Sequence, residues 1–479
     1  MFSFQSIKDY HADLLHGQTT CVEAVQYYLQ QIANQTHLNA FLEVYTDEAL
    51  QRADALDAQR KEEGIKGKLH GVVTGIKDVL CYKDHRVSAA SKILDGFVSL
   101  YSATAVERLL AEGAIIIGRH NCDEFAMGSS NENSAFGNVL NALDTERVPG
   151  GSSGGSAVSV QASMNMISLG SDTGGSVRQP ADYCGIVGFK PSYGRISRYG
   201  LIAYASSFDQ IGIFANSVSD TITVLESIEG EDEWDSTVSD ISTNNTSKNA
   251  INLTLGKRIG YFKQCLDHPS LDSDIAASFF SFTKKLTENN YDVQVIDFEL
   301  LNFIVPAYYI LTTAEASSNL SRYDGVKFGL RQNTNLNDLT DLYCTSRSQG
   351  FGLEVQRRIL LGTYVLSEGY YDAYFTKAQK VRQLLTERIK EIFKGFNAII
   401  LPTVPSPAFK FGEKADIVEM FLTDIYTVLA NLTGIPAISL PLFKHSNYMP
   451  FGLQVMAAQQ NDIYLLALVE EMMRMRDRA

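Results

Sequence analysis

The sequence predicts an α/β protein in which one large β-sheet is layered with helices. From about residue 68 to 230, short apolar runs alternate with glycine-rich turns and helical patterns, and this alternation resumes beyond about residue 250. The chain has 479 residues, 45% of them hydrophobic, which is enough to bury a large core. We therefore expect one interrupted sheet rather than two independent domains.

The first 65 or so residues are predicted to be helical. Thr20-Cys21-Val22-Glu23 has the pattern of a capping box and precedes an amphipathic run over residues 24–33. A charged helix is predicted over 46–63. We expect residues 1–65 to form an N-terminal helical layer and residues 66–479 to form the α/β domain.

The remaining elements follow from apolar runs and from helical periodicity. Helices are predicted over 103–112, 273–288 and 371–393. Residues 231–250 are polar and rich in turn formers, so we expect a surface insertion there. Buried strands are predicted at 72–76, 114–118, 164–169, 185–189, 258–261, 293–296 and 398–401.

Composition excludes several functions. The net charge is −14, so no overall positive field exists to attract a nucleic acid or an anionic membrane. The six cysteines are scattered singly, and no metal-ligand spacing or Walker motif occurs, so we expect no metal and no ATP site in this chain. No apolar stretch reaches the length of a membrane span and the start does not resemble a signal peptide, so we expect a cytoplasmic protein.

Two glycine-serine clusters are the candidate chemical site. They are Pro149-Gly150-Gly151-Ser152-Ser153-Gly154-Gly155-Ser156 and Gly170-Ser171-Asp172-Thr173-Gly174-Gly175-Ser176. Each cluster alone is more typical of a phosphate-binding loop or a plain turn than of a site with a serine nucleophile. The segment between them is long enough for a helix and a strand that return the second loop to the first. Residues 173–176 could then form an oxyanion hole around a serine nucleophile.

A serine nucleophile needs a base, and Lys77 is the candidate. The eight histidines show no triad pattern, and the G-x-S-x-G match at 150–154 lacks an identifiable acid and histidine. Lys77 lies in the apolar run 71–80, where burial would favour the neutral amine. The alternative is a lysine that reaches solvent or pairs with Asp78.

Residues 150–176, with G-G-S-S-G-G-S and G-S-D-T-G-G-S-V-R-Q-P-A, resemble the signature of the amidase signature family. The resemblance implies the amidase signature fold, a central mixed sheet covered by helices on both faces. It also implies a Ser-Ser-Lys triad and an oxyanion hole. The implied roles are Lys77 as base, Ser152 as relay after a cis peptide bond, Ser176 as nucleophile, and the N–H groups of Thr173, Gly174 and Gly175, with that of Ser176, as oxyanion donors.

Within the family, the chain most resembles the glutamine-hydrolysing subunits of bacterial tRNA-dependent amidotransferases, from about residue 5 to 475. Residues 123–130, 185–209 and 354–382 carry this likeness. It implies that Arg358 binds the α-carboxylate of glutamine and that Asp424 binds its α-amino group, with Gly128 and Ser129 also lining the substrate site. Arg357 stays an alternative to Arg358 as the residue that binds the α-carboxylate.

The same resemblance implies partners. These are a kinase/tRNA-binding subunit, which uses ATP and Mg²⁺, and a small third subunit, with misacylated tRNA bound through the complex. Two other functions stay open on the sequence: a free-standing amidase acting on small amides, and a scaffold or tRNA-binding protein without activity. The sequence does not decide whether Glu-tRNA(Gln), Asp-tRNA(Asn) or both are served.

Overall fold

A central β-sheet organises the chain. The computed structural model describes residues 2–239, 256–332, 338–414, 420 and 423–476. The strands are β1 Phe41–Val44, β2 Val73–Lys77, β3 Ile115–His120, β4 Ile167–Asp172, β5 Val187–Lys190, β6 Gln210–Ala215, β7 Arg258–Phe262, β8 Asp292–Ile296, β9 Ala398–Pro402, β10 Ala437–Lys444 and β11 Pro450–Met456. They form one 11-stranded sheet in the order β1-β3-β2-β4-β6-β5-β10-β11-β9-β7-β8.

Helices surround the sheet. Those in the described ranges are α1 Ile7–Leu15, α2 Cys21–Asn34, α3 Thr46–Glu63, α4 Thr104–Ala111, α5 Gly154–Gln161, α6 Arg178–Cys184, α7 Val218–Ile228, α8 Lys263–Leu266, α9 Ser273–Glu288, α10 Leu301–Asn319, α11 Leu339–Gly350, α12 Leu353–Val365, α13 Lys377–Gly395, α14 Val428–Leu432 and α15 Asp462–Arg476. A π-helical turn at Asp372–Thr376 precedes α13. Among the described residues, no helix is both long and apolar enough to cross a membrane.

The sheet is mixed and continuous across the polar insertion, as predicted. β2 is parallel to β3 and β4, and β7 is parallel to β8 and β9. The other neighbouring pairs are antiparallel. β10 pairs with β5, which joins strands from the two sides of the insertion into one sheet. The predicted single sheet is therefore confirmed.

Both faces of the sheet are buried. Successive side chains on a strand point to opposite faces, so a strand covered on both sides contributes alternately to two cores. Along β9, Ala398 and Ile400 belong to one hydrophobic cluster, whereas Ile399 and Leu401 belong to another. The first cluster includes residues of α2, α4, α5 and α15, and the second includes residues of α10, α12 and α13. The helices therefore lie on both faces.

The N-terminal segment adds a strand that the sequence analysis missed. The capping box at Thr20 is present, and both predicted helices form as α2 and α3. Between them, β1 pairs antiparallel with β3 at the sheet edge. A four-residue strand is too short for its own periodicity to identify it, and its pairing depends on a distant partner. The boundary at residue 65 stays a prediction.

Two elements that contribute to the site have bounds that differ from the predicted ones. The strand predicted at 164–169 is β4, which extends to Asp172 and so carries part of the second glycine-serine cluster. The helix predicted over 371–393 begins as the π-helical turn and continues as α13. Of the predicted insertion, residues 231–239 form turns, and residues 240–250 lie outside the described residues.

Candidate active site

Two neighbouring strands place a lysine against two serines. β2 and β4 are parallel, with Ile76 opposite Leu169, so Lys77 and Ser171 emerge at the same edge of the sheet. The Lys77 Nζ atom lies 2.7 Å from Ser152 Oγ and 2.9 Å from Ser171 Oγ. The lysine is fully buried. The predicted contact between Lys77 and Ser152 is therefore present, and Ser171 is a neighbour that the sequence analysis did not identify.

The two glycine-serine clusters lie against each other. The Ser153 N–H donates to the carbonyl oxygen of Ser176 at 3.3 Å. The peptide bond between Gly151 and Ser152 is cis. Ser176 keeps 7% of its surface exposed, whereas Ser152 and Lys77 are completely buried. Of these three, only Ser176 is therefore accessible to a molecule that enters from solvent.

Burial makes the neutral amine of Lys77 easier to reach than that of a solvent-exposed lysine. Burial lowers the pKa of Lys77 to about 8, although the nearby Cys122, Asp123, Asp172 and Asp209 oppose this by favouring the charged form. Asp78 is not its partner, because that carboxylate pairs with Arg119 at 2.7 Å. A neutral amine at this position can donate a hydrogen bond to Ser171 while its lone pair accepts the hydroxyl proton of Ser152.

Asp172 ties down the loop that carries Ser176. Its Oδ1 accepts the N–H of Gly175 at 2.9 Å, and its Oδ2 accepts the N–H of Val177 at 3.1 Å. The Gly175 amide is therefore already engaged by this carboxylate, and the oxyanion-donor roles of Thr173, Gly174, Gly175 and Ser176 stay predictions. The carboxylate holds the loop in place through the N–H groups of Gly175 and Val177.

A buried arginine keeps Asp172 ionised. Arg178 Nε and Nη2 donate to its two carboxylate oxygens at 3.1 and 2.9 Å. Burial would raise the pKa of Asp172, but Arg178 outweighs it and lowers that pKa to about 2. Arg178 also donates to the carbonyl of Thr427 at 2.8 Å and to Asn431 Oδ1 at 2.6 Å. This hydrogen-bond network joins the loop that carries Ser176 to the segment that carries Asp424.

Asp424 lies in a polar recess beside that loop. Its Oδ2 accepts hydrogen bonds from Ser129 Oγ at 2.8 Å and from Tyr309 Oη at 3.2 Å. Both of these hydrogen bonds go to Oδ2. Burial raises the pKa of Asp424 to about 6 against the opposing effect of these donors and of Arg358. The group is thus an anion at neutral pH.

Arg358 faces the same recess from α12. Its Nε donates to Glu354 Oε1 and its Nη1 to Tyr204 Oη, each at 2.8 Å. The guanidinium carbon lies 5.5 Å from the ring centres of both Tyr204 and Tyr309. Arg357 points elsewhere, with 52% of its side chain exposed and a 3.9 Å contact to Glu354. The structure therefore places Arg358, not its neighbour, in the recess.

Two adjacent tyrosines on α10, Tyr308 and Tyr309, connect the recess to the loop that carries Ser176. Tyr309 contacts Asp424, and its neighbour Tyr308 packs on Gly174 so closely that a Cβ atom there would lie 2.3 Å from the Tyr308 hydroxyl. Thr427 Oγ1 also donates to the Gly174 carbonyl at 2.7 Å. The Lys77–Ser152 pair, the loop at 173–176 and the polar recess therefore form one continuous site.

Gly128 precedes Ser129 in a tight loop, where a Cβ at Gly128 would lie 2.3 Å from the Asp123 carboxyl. The sequence analysis thus named residues that the fold brings together, and the roles assigned to them stay predictions. It missed Ser171, Asp172, Arg178, Tyr204, Tyr309 and Glu354. Ser171 was available from the same argument as Lys77, because both lie at the carboxyl ends of buried strands, whereas the tyrosines lie in elements with no motif.

Comparisons with known proteins agree with this site. The family model described as Amidase matches residues 23–466. The A subunit of a glutamyl-tRNA(Gln) amidotransferase from Chlorobium phaeobacteroides is 48% identical over 454 residues, 94% of this chain and 95% of that relative. The crystal structure of the glutamyl-tRNA(Gln) amidotransferase A subunit from Thermotoga maritima aligns with a TM-score of 0.77 and 35% identity, over 97% of this chain and 93% of that one.

The fold is also shared with enzymes of other specificity. The native peptide amidase from Stenotrophomonas maltophilia aligns with a TM-score of 0.83 and 26% identity, covering 99% of this chain and 97% of that one. The backbone alone therefore does not separate an amidotransferase subunit from a free-standing amidase. Since the family model covers most of the sequence and the predicted lysine-serine pair is in contact, the chain belongs to the amidase family.

Proposed function

We propose that this chain hydrolyses glutamine and supplies the ammonia to a tRNA-dependent amidotransferase. The observation that carries the proposal is the recess in which the guanidinium of Arg358 lies over the ring of Tyr309 and the carboxylate of Asp424 accepts a hydrogen bond from its hydroxyl. A free amino acid presents both an α-carboxylate and an α-ammonium group. The curated and structural relatives named as the A subunit of glutamyl-tRNA(Gln) amidotransferase support the same substrate.

The proposed reaction begins with proton transfer along the three side chains, from Ser176 through Ser152 to Lys77. Neutral Lys77 accepts the hydroxyl proton of Ser152 as Ser152 accepts that of Ser176, and Ser176 Oγ attacks the side-chain amide carbon of glutamine. The N–H groups of Thr173, Gly174 and Ser176 stabilise the negative charge that develops on the amide oxygen. The amide nitrogen takes a proton back and leaves as ammonia. Water then attacks the glutamyl ester by the reverse relay and releases glutamate.

The recess explains how the site would choose glutamine over a simple amide. The planar guanidinium of Arg358 is held by Glu354 and Tyr204, so part of it is pre-oriented for a carboxylate. Oδ1 of Asp424 can accept a hydrogen bond from the α-ammonium group. Tyr309 contacts both of these groups, and its neighbour Tyr308 packs on Gly174, two residues before Ser176. The side-chain amide of a bound glutamine would then extend towards Ser176.

We expect the activity to depend on pH through Lys77. The amine is the base only when it is neutral, and burial sets its pKa near 8. kcat/KM for glutamine should therefore rise about tenfold per pH unit below this value and level off above it. A pH-rate profile, with circular dichroism at each pH as a control for folding, measures this. An apparent pKa near the unperturbed lysine value of ~10.4 would contradict a neutral base.

We expect Arg358→Ala to raise the KM for glutamine about 10- to 100-fold, because one charge-assisted contact to a carboxylate is lost. Turnover of propionamide, which has no α-carboxylate, should not change. Arg357→Ala is the matched control in the isolated chain, since that side chain is half exposed and points away from the recess. Unchanged glutamine kinetics in Arg358→Ala would instead favour a free-standing amidase acting on small amides.

We further propose the partners that this function requires. A kinase/tRNA-binding subunit would use ATP and Mg²⁺ to activate the misacylated tRNA in the cytoplasm, and a small third subunit would brace the complex. The acidic chain, at −14, fits a role in which a partner contacts the tRNA. Co-purification from the host, followed by glutamine-dependent amidation of Glu-tRNA(Gln) and Asp-tRNA(Asn), tests this and identifies the substrate. Failure to label Ser176 with a serine-directed acylating probe would support a scaffold without activity.

A further inference from the structure

Asp209 is a buried carboxylate that contacts the loop carrying Ser176 from a second element. It directly precedes β6, whose Gln210 pairs with Asp172 of β4. The Thr173 hydroxyl donates to Asp209 Oδ1 at 2.7 Å. Asp209 and Thr173 are only 3% and 1% exposed. Because Asp172 holds this loop through later N–H groups, Asp209 adds a separate contact at its first residue.

The other oxygen of Asp209 leads towards the arginine of the recess. Asp209 Oδ2 accepts the N–H groups of Tyr204 and Ala205 at 2.9 and 3.0 Å, which closes a turn. The hydroxyl of Tyr204 in turn accepts a hydrogen bond from Arg358 Nη1 at 2.8 Å. Hydrogen bonds therefore connect Arg358 to Thr173 through two buried residues of this turn.

The same turn also meets the loop through a packing contact. The Phe208 ring lies edge-on to the Tyr308 ring, with ring centres 5.8 Å apart, and Tyr308 packs on Gly174. The turn that contains Tyr204 is therefore fixed to the loop at two neighbouring residues, Thr173 and Gly174. A shift of the turn relative to the sheet would disturb both of these contacts.

Packing alone does not require a carboxylate at this position, because burying a charge is unfavourable. Burial raises the pKa of Asp209 to about 7, against the opposing effect of the Thr173 hydroxyl and of the two N–H groups. Hydrogen bonds to a carboxylate are shorter and stronger than those between neutral groups, and a buried environment strengthens them further. The carboxylate therefore holds the two ends of this hydrogen-bond path at a more closely defined distance than a neutral group would.

The distance between Arg358 and the loop matters because glutamine would span it. In the proposed function, Arg358 binds the α-carboxylate while Ser176 attacks the amide carbon at the other end of the molecule. Both contacts must be met at once, and a misplacement of about 1 Å in such a site costs on the order of 10²-fold in rate. A small amide that contacts the loop alone places no such demand on this distance.

We propose that Asp209 is a positioning residue that fixes the distance between Arg358 and the loop at 173–176 and so matches the site to the length of glutamine. This inference rests on the proposed function. Asp209 acts through Tyr204 and Thr173 rather than by touching the substrate. Its contribution to catalysis is therefore present when Arg358 holds the substrate and is lost when that contact is removed.

A double-mutant cycle on the full chain, with glutamine as the substrate, tests this inference. Asp209→Asn keeps the shape of the side chain and weakens its contacts at both oxygens. We expect it to lower kcat/KM about 10- to 100-fold, mainly through kcat, when Arg358 is present. In an Arg358→Ala background, the same substitution should lower kcat/KM by less than about threefold. All kinetics are measured above pH 8, where Lys77 is neutral and Asp209 is charged.

Asp462→Asn is the matched control. Asp462 is also completely buried, and it accepts one N–H and one hydroxyl, both from Ser192, outside the site. Its kinetics should equal those of the wild type at temperatures where thermal unfolding shows that the protein is folded. If Asp209→Asn does not fold, Thr173→Val breaks the same link from its other end and takes its place in the cycle. Thr173→Ser, which keeps the hydroxyl, should then recover most of the loss.

Equal losses with and without Arg358 would overturn the inference, because a residue with a structural role alone does not sense that side chain. A loss of the same size in Asp462→Asn, a loss below about threefold in Asp209→Asn, or a loss in Thr173→Val that Thr173→Ser does not recover would overturn it as well. Each of these outcomes leaves glutamine hydrolysis by the wild type, and hence the proposed function, intact. A wild-type chain that neither hydrolyses glutamine nor is labelled on Ser176 by an acylating probe would refute the proposed function too.

Discussion

Replacing Ser176 by alanine should abolish glutamine hydrolysis, with a loss of about 10⁴-fold or more in kcat/KM. The reason is that Ser176, the proposed nucleophile, keeps 7% of its surface exposed whereas Ser152 is completely buried, so the groups that remain in the variant would bind glutamine without attacking it. The backbone carbonyl of Ser176, not its side chain, contacts Ser153, so the fold should be unaffected. Steady-state release of ammonia, with thermal unfolding as the control for folding, measures the loss.

The relay predicts that the two serines act as a unit. Ser152→Ala removes the group between Lys77 and Ser176, and the double variant Ser152→Ala/Ser176→Ala should be no worse than Ser176→Ala alone. Losses that simply multiply would contradict a shared proton path. A serine-directed acylating probe should label the wild type on Ser176 and leave Ser176→Ala unlabelled. Glutaminase activity near the wild-type level in Ser176→Ala would refute the nucleophile.

Replacing Lys77 by alanine should lower kcat/KM by ~10²–10⁴-fold, the usual contribution of a general base. The pH limb near 8 should disappear at the same time, because the titrating amine is gone. Lys77→Arg is the informative companion, since a guanidinium keeps the positive charge but does not lose its proton in proteins. It should be as inactive as Lys77→Ala. An active arginine variant would show that charge, not proton acceptance, is what the site needs.

A loss of activity in Lys77→Ala has two explanations, the loss of a general base and the loss of a structural contact. The free energy of unfolding of the variant distinguishes them. The lysine is the partner of two buried hydroxyls, Ser152 and Ser171, and leaving such groups unpaired costs about 1–3 kcal/mol each. Denaturation in urea measures this cost. A destabilised protein that still shows the wild-type pH profile would point to a structural lysine rather than a base.

Local patterns predicted much of the site. The apolar run around Lys77 indicated a buried strand, and burial is what makes a lysine neutral enough to serve as a base. The glycine-serine clusters indicated two loops, and their separation allowed a helix and a strand to return one loop to the other. These predictions were possible because hydrophobic periodicity and residue type are local signals, which a few consecutive residues are enough to show.

Other features had no local signal. Arg357 and Arg358 were not separable because α12 carries leucines on its outer face and valines on its inner face, so apolar periodicity does not identify the buried side. Gly175 was assigned as an oxyanion donor, but the Asp172 carboxylate takes its N–H. Tyr309, which contacts both Arg358 and Asp424, comes from a helix without any motif.

The sequence by itself determined the layered α/β architecture, because hydrophobic periodicity indicates it, and the resemblance to the amidase signature family implied the contact between Lys77 and Ser152. The tertiary structure alone decided which arginine lies over Tyr309, that the Asp172 carboxylate takes the N–H of Gly175, and that Asp424 also contacts Tyr309. Those outcomes depend on contacts between residues that are far apart in the chain. Such contacts are settled by how helices pack on the sheet, and no short stretch of the chain encodes that packing.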